Sequence, residues 1–100
     1  MQERRAAHRR RTNLKVRWET LKHSGQGAIC DLSASGCFIL TGGEVNPREL
    51  VCMTTALPFE AVTFWGNVVY ALSEMGFAVR FVVGTDADRQ SIDKLITHAR

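Results

Sequence analysis

Apolar and polar residues alternate along most of this chain, with the period of two that is typical of a β-strand with one buried face. The first alternating run starts at Thr12, where Leu14, Val16 and Trp18 are separated by polar or basic residues. Similar runs, separated by turn-forming Gly, Pro, Asn and Ser, occupy residues 28–32, 36–40, 50–55, 62–72 and 77–81. The pattern therefore predicts six short strands.

The last part of the chain changes to a helical period. Ile92, Leu95, Ile96 and Ala99 are spaced as i, i+3, i+4 and i+7, and Thr85 or the aspartate after it can cap the N-terminus of a helix. A run of short strands followed by one amphipathic helix is typical of a sheet that curls and is covered by that helix. We predict an all-β fold, a six-stranded antiparallel β-barrel with one C-terminal α-helix.

The length of 100 residues is that of one small domain. We expect a flexible basic arm over residues 1–11, the barrel over residues 12–84 and the helix over residues 85–100. Gly66, in the middle of a long strand, suggests a bulge or a bend. The aromatic residues at strand period are predicted to lie in the core: Trp18, Phe38, Phe64, Trp65, Phe77 and Phe81.

Charge is unevenly distributed. The net charge is +3, but residues 1–17 carry seven basic residues and one acidic residue, which leaves the rest of the chain acidic. A basic segment on an acidic body suits a small anion, a nucleic acid or a membrane surface. No apolar run approaches the roughly 18 residues of a membrane span, and no signal peptide is evident, so we expect a cytoplasmic protein that does not insert into membranes.

The residues that commonly bind metals are sparse. Three cysteines lack the paired spacing of a zinc site, and we expect them to be free thiols. His23 and His98 have no partners at metal-ligand spacing and are expected to face solvent. The sequence also has no catalytic triad, phosphate loop or evident carboxylate pair, so we predict a binding protein that needs no cofactor and performs no catalysis.

Two short motifs carry the functional signal. Arg5 and Arg9 form an R-x-x-x-R segment just before the first strand, and Asp31, Ser33 and Gly36 form a D-x-S-x-x-G segment between the second and third strands. Each motif alone is unspecific. In this order and spacing, over nearly the whole chain, they resemble the PilZ domain family, whose members bind the bacterial second messenger cyclic di-GMP.

The resemblance implies a role for each motif. Arg5 and Arg9 would bind phosphate or the O6/N7 edge of guanine, and Asp31 would accept hydrogen bonds from guanine N1–H and N2–H₂. Ser33 would add a hydroxyl hydrogen bond, and Gly36 would permit a backbone conformation or approach that a Cβ would prevent.

Three further residues enter through the same resemblance. In the family, an arginine at the position of Arg4 accompanies binding of a stacked pair of ligand molecules. Arg10 is a further candidate for contacting phosphate. Tyr70 stands near the end of the fifth strand, where many members have a tryptophan within reach of the ligand, and it could still stack on a base.

The function that this implies is a cyclic di-GMP receptor. Ligand binding would order the basic arm and relay a signal to an unidentified protein partner in motility, biofilm or exopolysaccharide control. Two alternatives remain open: a PilZ-like adaptor that binds a protein but no nucleotide, and, less in keeping with the motifs, a nucleic-acid binder that uses its basic arm.

Overall fold

The computed structural model describes residues 9–99, which form six antiparallel strands and one helix. The predicted mainly β fold is confirmed. In chain order the elements are β1 (Arg10–Glu19), β2 (Ser24–Leu32), β3 (Gly36–Leu40), β4 (Leu50–Ala56), β5 (Ala61–Leu72), β6 (Gly76–Val82) and α1 (Asp86–Ala99).

The strands close into a barrel with the order β1-β2-β3-β6-β5-β4, and β4 pairs with β1. Neighbouring strands in space are also neighbours in sequence except where β3 pairs with β6 and where β4 returns to β1. Because β6 lies between β3 and β5, the outer faces of β2, β3, β6 and β5 form one continuous surface.

The barrel interior is filled by the inward residues of the alternating strands. Trp18, the largest of them, is 1% exposed and packs edge-on against Phe77 with ring centroids 5.3 Å apart. Its indole nitrogen donates to the hydroxyl of Thr41 over 3.2 Å, so the one polar atom of this buried ring is satisfied. Burial of an aromatic side chain of this kind stabilises the fold by about 2 to 3 kcal/mol.

The C-terminal helix begins with a reciprocal cap. The hydroxyl of Thr85 accepts from the backbone N–H of Asp88 over 3.1 Å, and the Asp88 carboxylate accepts from the N–H groups of Thr85 and Gly84. The predicted stripe lies on the barrel: Ile92 and Leu95 are buried, and α1 contacts β5. Within residues 9–99, no helix is long and apolar enough to cross a bilayer.

Two of the six aromatic residues predicted in the core face outward. Cys37 and Ile39 are the buried residues of β3, so Phe38 between them projects from the barrel. Trp65 is 39% exposed because its neighbour Phe64 occupies the interior. Alternation identifies a strand, but in these two strands both faces carry apolar residues, and the sequence alone does not say which face is buried.

The bend predicted at Gly66 is also corrected. Gly66 pairs regularly with Val51 and Phe81, and the register shifts instead at Val69, between Val68 and Tyr70. Gly66 serves close packing, because a Cβ there would lie 2.9 Å from the Cβ of Val79.

The first strand starts at Arg10 rather than at Thr12. Arg10 pairs with Leu32 and Arg11 with Asp31, so ladder pairing to β2 places both arginines in the strand although they break the apolar alternation. The preceding arm, including Arg4 and Arg5, lies outside the described residues.

The three cysteines are free: Cys37 is buried, and Cys30 and Cys52 are half-buried. His23 and His98 are exposed, as predicted. In the described part of the chain, no cluster of three potential metal ligands occurs.

Candidate functional site

An open pocket of about 390 Å³ lies on the outer surface of the barrel, where β2 turns into β3. It draws residues from the start of the described chain, the β2–β3 turn, β5 and β6. Its lining consists of Arg9, Asp31, Ser33, Ser35, Gly36, Cys37, Phe38, Val69, Tyr70, Ala78, Val79 and Arg80.

Strand register brings the outward side chains of this pocket together. Asp31 on β2 pairs with Phe38 on β3, which pairs with Ala78 on β6, which pairs with Tyr70 on β5. Paired residues in an antiparallel sheet point to the same face, so a carboxylate and two aromatic rings form one row across four strands.

Two irregularities shape this row. The register shifts at Cys30 between Ile29 and Asp31, and at Val69 between Val68 and Tyr70. A bulge inserts an unpaired residue and re-aims the side chain that follows it. Both residues that follow a bulge, Asp31 and Tyr70, line the pocket.

Arg9 and Asp31 form an ion pair across the pocket mouth, in which the guanidinium donates a hydrogen bond to the carboxylate. This hydrogen bond, together with the charge of Asp31, raises the pKa of Arg9. The side chain of Arg9 is 71% exposed, so solvent screens the pair, and the contact orients the two groups more than it stabilises the fold.

Ser33 organises the turn between β2 and β3. Its hydroxyl accepts from the N–H of Ser35 over 3.3 Å, and its own N–H donates to the carbonyl of Gly36 over 2.9 Å. The carbonyl of Ser35 accepts from the N–H of Phe81 over 2.9 Å, which ties the turn to β6. The turn is therefore held in place by both its own serines and the neighbouring strand.

Gly36 allows β3 and β6 to approach closely. A Cβ at this position would lie 2.1 Å from the carbonyl oxygen of Val79, far inside contact distance. The group approached is the β6 backbone, so strand packing by itself requires a glycine at this position. Gly36 is also the register partner of Arg80, so no side chain on β3 occupies the pocket directly opposite Arg80.

Of the residues predicted for the site, Arg9, Asp31, Ser33, Gly36 and Tyr70 line this one pocket. Arg10 does not line it. Successive residues of an extended chain project in opposite directions, so Arg9 and Arg10 cannot both face the pocket. Arg4 and Arg5 fall outside the described residues.

The sequence reasoning missed two side chains of the pocket wall, Phe38 and Arg80. The rings of Phe38 and Tyr70 lie 6.2 Å apart between centroids with planes tilted by 43°. Arg80 projects outward from β6. The sequence already indicated this direction, because Arg80 alternates with the apolar residues Phe77, Val79 and Phe81 along the strand. Its place in the same pocket as Asp31 follows from the β3–β6 pairing, for which the sequence holds no local signal.

The described walls combine two guanidinium groups, one carboxylate and two aromatic rings, of which that of Tyr70 is exposed and that of Phe38 half-buried. Guanidinium groups bind phosphate and the acceptor edge of guanine, a carboxylate accepts from ring N–H groups, and aromatic faces stack on bases. This chemistry suits an anionic ligand that also has planar rings with hydrogen-bond donors.

Comparisons with known proteins identify the fold and the family. The profile of the PilZ domain matches residues 3–98. A search of curated protein sequences gave no match. Solved structures share the fold, among them the PilZ domain of CeSA from a cellulose-synthesizing bacterium, with a TM-score of 0.78 and 17% identity over 90% of this chain and 95% of that one.

Two similar structures contain c-di-GMP. The PilZ domain of YcgR from Escherichia coli with c-di-GMP has a TM-score of 0.78 at 11% identity, covering 97% of this chain and 92% of that one. The MrkH–c-di-GMP complex of K. pneumonia has a TM-score of 0.73 at 18% identity over 95% of this chain, which spans 52% of that protein. At such identities these structures establish the fold, and the profile match over nearly the whole sequence establishes the lineage: this chain belongs to the PilZ domain family.

Proposed function

We propose that this chain is a cyclic di-GMP receptor that binds its ligand in the pocket between Arg9, Asp31 and Tyr70. The observation that carries the proposal is the contact between Arg9 and Asp31. It joins the two motifs, which are 22 residues apart in sequence, at the mouth of one pocket. The ligand is then recognised by groups from both motifs at once.

Each group has a defined task in this proposal. The guanidinium of Arg9 leaves the carboxylate and binds a phosphate or the O6/N7 edge of a guanine. The freed carboxylate of Asp31 accepts from guanine N1–H and N2–H₂, which adenine does not offer. The one contact between Arg9 and Asp31 is thus replaced by two contacts, one from each group to the ligand. Both groups are therefore paired in the bound state as well as in the free state.

The aromatic row supplies the base-binding face. Tyr70 is 47% exposed, and the ring of Phe38 lies 6.2 Å from it across the intervening Ala78. A guanine that stacks on Tyr70 would lie along β5 and β6 with its edge toward Asp31. Stacking of a base on an aromatic side chain contributes about 1 to 3 kcal/mol.

The arginines before the described chain complete the site in the proposal. Arg5 would bind a phosphate or the O6/N7 edge of a guanine, and Arg4 would permit a stacked pair of ligand molecules. Ordering of this arm over the ligand changes the surface next to β1, and that change is the signal passed to a protein partner in the bacterial cytoplasm. The domain acts by binding and needs no catalytic group.

Calorimetric titration with purified cyclic di-GMP tests the proposal. Arg9→Ala and Asp31→Ala should each weaken binding by about ten- to a hundredfold, because each loses a charge-assisted contact. Arg89→Ala is the matched control, since Arg89 is exposed on α1 away from the pocket and should bind as the parent does. Cyclic di-AMP should bind far more weakly than cyclic di-GMP.

Absence of binding by the parent protein at high micromolar ligand would overturn the proposal and favour the adaptor alternative. Equal affinity for the two dinucleotides would show that Asp31 does not read guanine.

A further inference from the structure

The barrel has one short seam, between β1 and β4. The ladder there covers three pairs, Arg17–Thr54, Trp18–Met53 and Glu19–Cys52, whereas the ladder between β1 and β2 starts at Arg10. Residues 10–16 of β1 therefore have a ladder on one side alone, and on the other side the carbonyl of Lys15 accepts a hydrogen bond from the hydroxyl of Thr55 on β4. An incompletely paired strand edge presents backbone donors and acceptors that another extended chain can pair with.

A groove of about 760 Å³ runs over this seam on the outer face of the barrel. Small residues line it on both sides of β1, among them Gly27 and Ala28 on β2 and Ala56 and Ala61 at the β4–β5 turn. Because these residues lack long side chains, the β1 backbone between them is open to approach from outside.

Two cations stand along the groove. Lys15 and Arg17 are both exposed and project from the same face of β1. Their spacing of two residues corresponds to about 6.6 Å along a strand, which is also the repeat of same-face side chains in any extended partner. Among the described residues, neither Lys15 nor Arg17 forms an ion pair. The two ion pairs there are Arg9–Asp31 and Lys94–Glu60.

We propose that this groove docks an extended acidic segment of a partner protein. The segment would pair with the open backbone edge of residues 10–14, in the N-terminal half of β1, and continue toward the seam so that carboxylates at alternate positions reach Lys15 and Arg17. Binding of this kind takes affinity from main-chain hydrogen bonds and specificity from alternate side chains.

The groove fits a peptide better than a nucleic acid. No aromatic side chain is among its lining residues, whereas proteins that bind single strands use aromatic stacking beside a positive groove. The open backbone edge, in contrast, is complementary to another polypeptide.

The position of the groove relates it to the pocket. Arg9, at the pocket mouth, directly precedes β1, and the groove cations lie further along the same strand. Docking in the groove does not require the nucleotide, so its test stands apart from that of the proposed function.

The test titrates an acetylated, amidated octapeptide of alternating glutamate and threonine into the isotope-labelled full chain and follows backbone amide resonances. We expect the amides of residues 13–17 and 54–56 to shift. The double variant Lys15→Glu/Arg17→Glu should weaken binding by about tenfold or more and acquire affinity for the matching lysine–threonine peptide. The double variant Lys22→Glu/Arg89→Glu, with one change in the exposed β1–β2 turn and one on the exposed surface of α1, alters the net charge by the same amount and should bind the acidic peptide as the parent does.

Backbone pairing has its own readout. In an extended peptide, the N–H groups of the glutamates point to one edge and those of the threonines to the other. A peptide N-methylated on all glutamates and a peptide N-methylated on all threonines each lose the donors of one edge, so one of these two peptides should fail to bind. Unshifted amides at residues 13–17 with millimolar peptide, or equal shifts with the lysine peptide, would overturn the proposal. Shifts there with a DNA oligonucleotide or phosphatidylglycerol vesicles, together with none from the peptide, would likewise overturn it and assign the groove to that ligand.

Discussion

The guanidinium of Arg9 and the carboxylate of Asp31 pair across the mouth of the surface pocket, at the start of β1 and near the end of β2. The contact follows from the β1–β2 ladder, in which Arg11 is the register partner of Asp31 and the chain before it passes beside the same strand. The pair orients both groups toward the pocket, and in the proposed receptor each would exchange this partner for the ligand on binding, so that neither group is left unpaired.

Asp31→Asn separates recognition from folding. The substitution keeps the shape of the side chain and removes the charge, and the amide nitrogen would face the N–H donors of guanine. We expect cyclic di-GMP affinity to fall by about tenfold or more, because a hydrogen bond to a charged group is lost. The unfolding midpoint should stay within error, since Arg9, the partner of Asp31 in the ion pair, has a side chain that is 71% exposed and solvent screens the contact.

Asp93→Asn, on the exposed surface of α1, is the control for Asp31→Asn and should leave both quantities unchanged. A large loss of thermal stability in Asp31→Asn would instead assign Asp31 a role in the fold.

Gly36→Ala should destabilise the barrel. The added methyl would meet the Val79 carbonyl oxygen at 2.1 Å, and since that contact is backbone, β3 and β6 must separate. We expect a loss of about 1 to 3 kcal/mol in the free energy of unfolding, measured by urea denaturation.

Gly42→Ala is a matched control, because a Cβ at Gly42 has no atom within 4 Å and should be tolerated. Equal stability of the two variants would contradict the close approach of β3 and β6.

Tyr70→Ala should weaken cyclic di-GMP binding through loss of stacking, by about 1 to 3 kcal/mol in binding free energy. Tyr70→Phe retains the ring and should restore most of the affinity. Phe59→Ala removes an aromatic ring that is 98% exposed in the β4–β5 turn and should have no effect. If calorimetry gave the same affinity for Tyr70→Ala as for the parent, the ligand would not contact this face.

The stability of the domain should fall at alkaline pH because of Cys37. Burial raises the pKa of this thiol above its ordinary value, so the folded state keeps the proton that the unfolded chain releases. The stabilisation from the neutral thiol is complete below the unfolded thiol pKa of about 8.5 and is lost as the pH rises above it.

Urea unfolding of the reduced protein between about pH 7 and pH 10 measures this effect. Cys37→Ala should flatten the decline relative to the parent, whatever its effect on stability at neutral pH. An unchanged slope would show that Cys37 is not the group that titrates.

Local pattern in the sequence determined the elements of this protein. Alternation at Leu14, Val16 and Trp18, and the helical spacing of Ile92 and Leu95, specify strands and a helix because side-chain period depends on the conformation of the residues themselves. The spacing of the two motifs was sufficient for the family. Which residues of those motifs share a pocket, and the contribution of Phe38 and Arg80, required the folded chain.

The tertiary structure decided how the strands are arranged. Pairing of β3 with β6 places Arg80 opposite Gly36, and the bulge at Val69 turns Tyr70 toward the row that contains Asp31. These contacts join residues distant in sequence, and hydrogen-bond ladders form between any strands whose edges meet, so no local pattern selects the partner. The barrel closes through long-range pairing, and that closure creates both the pocket and the open seam beside β1.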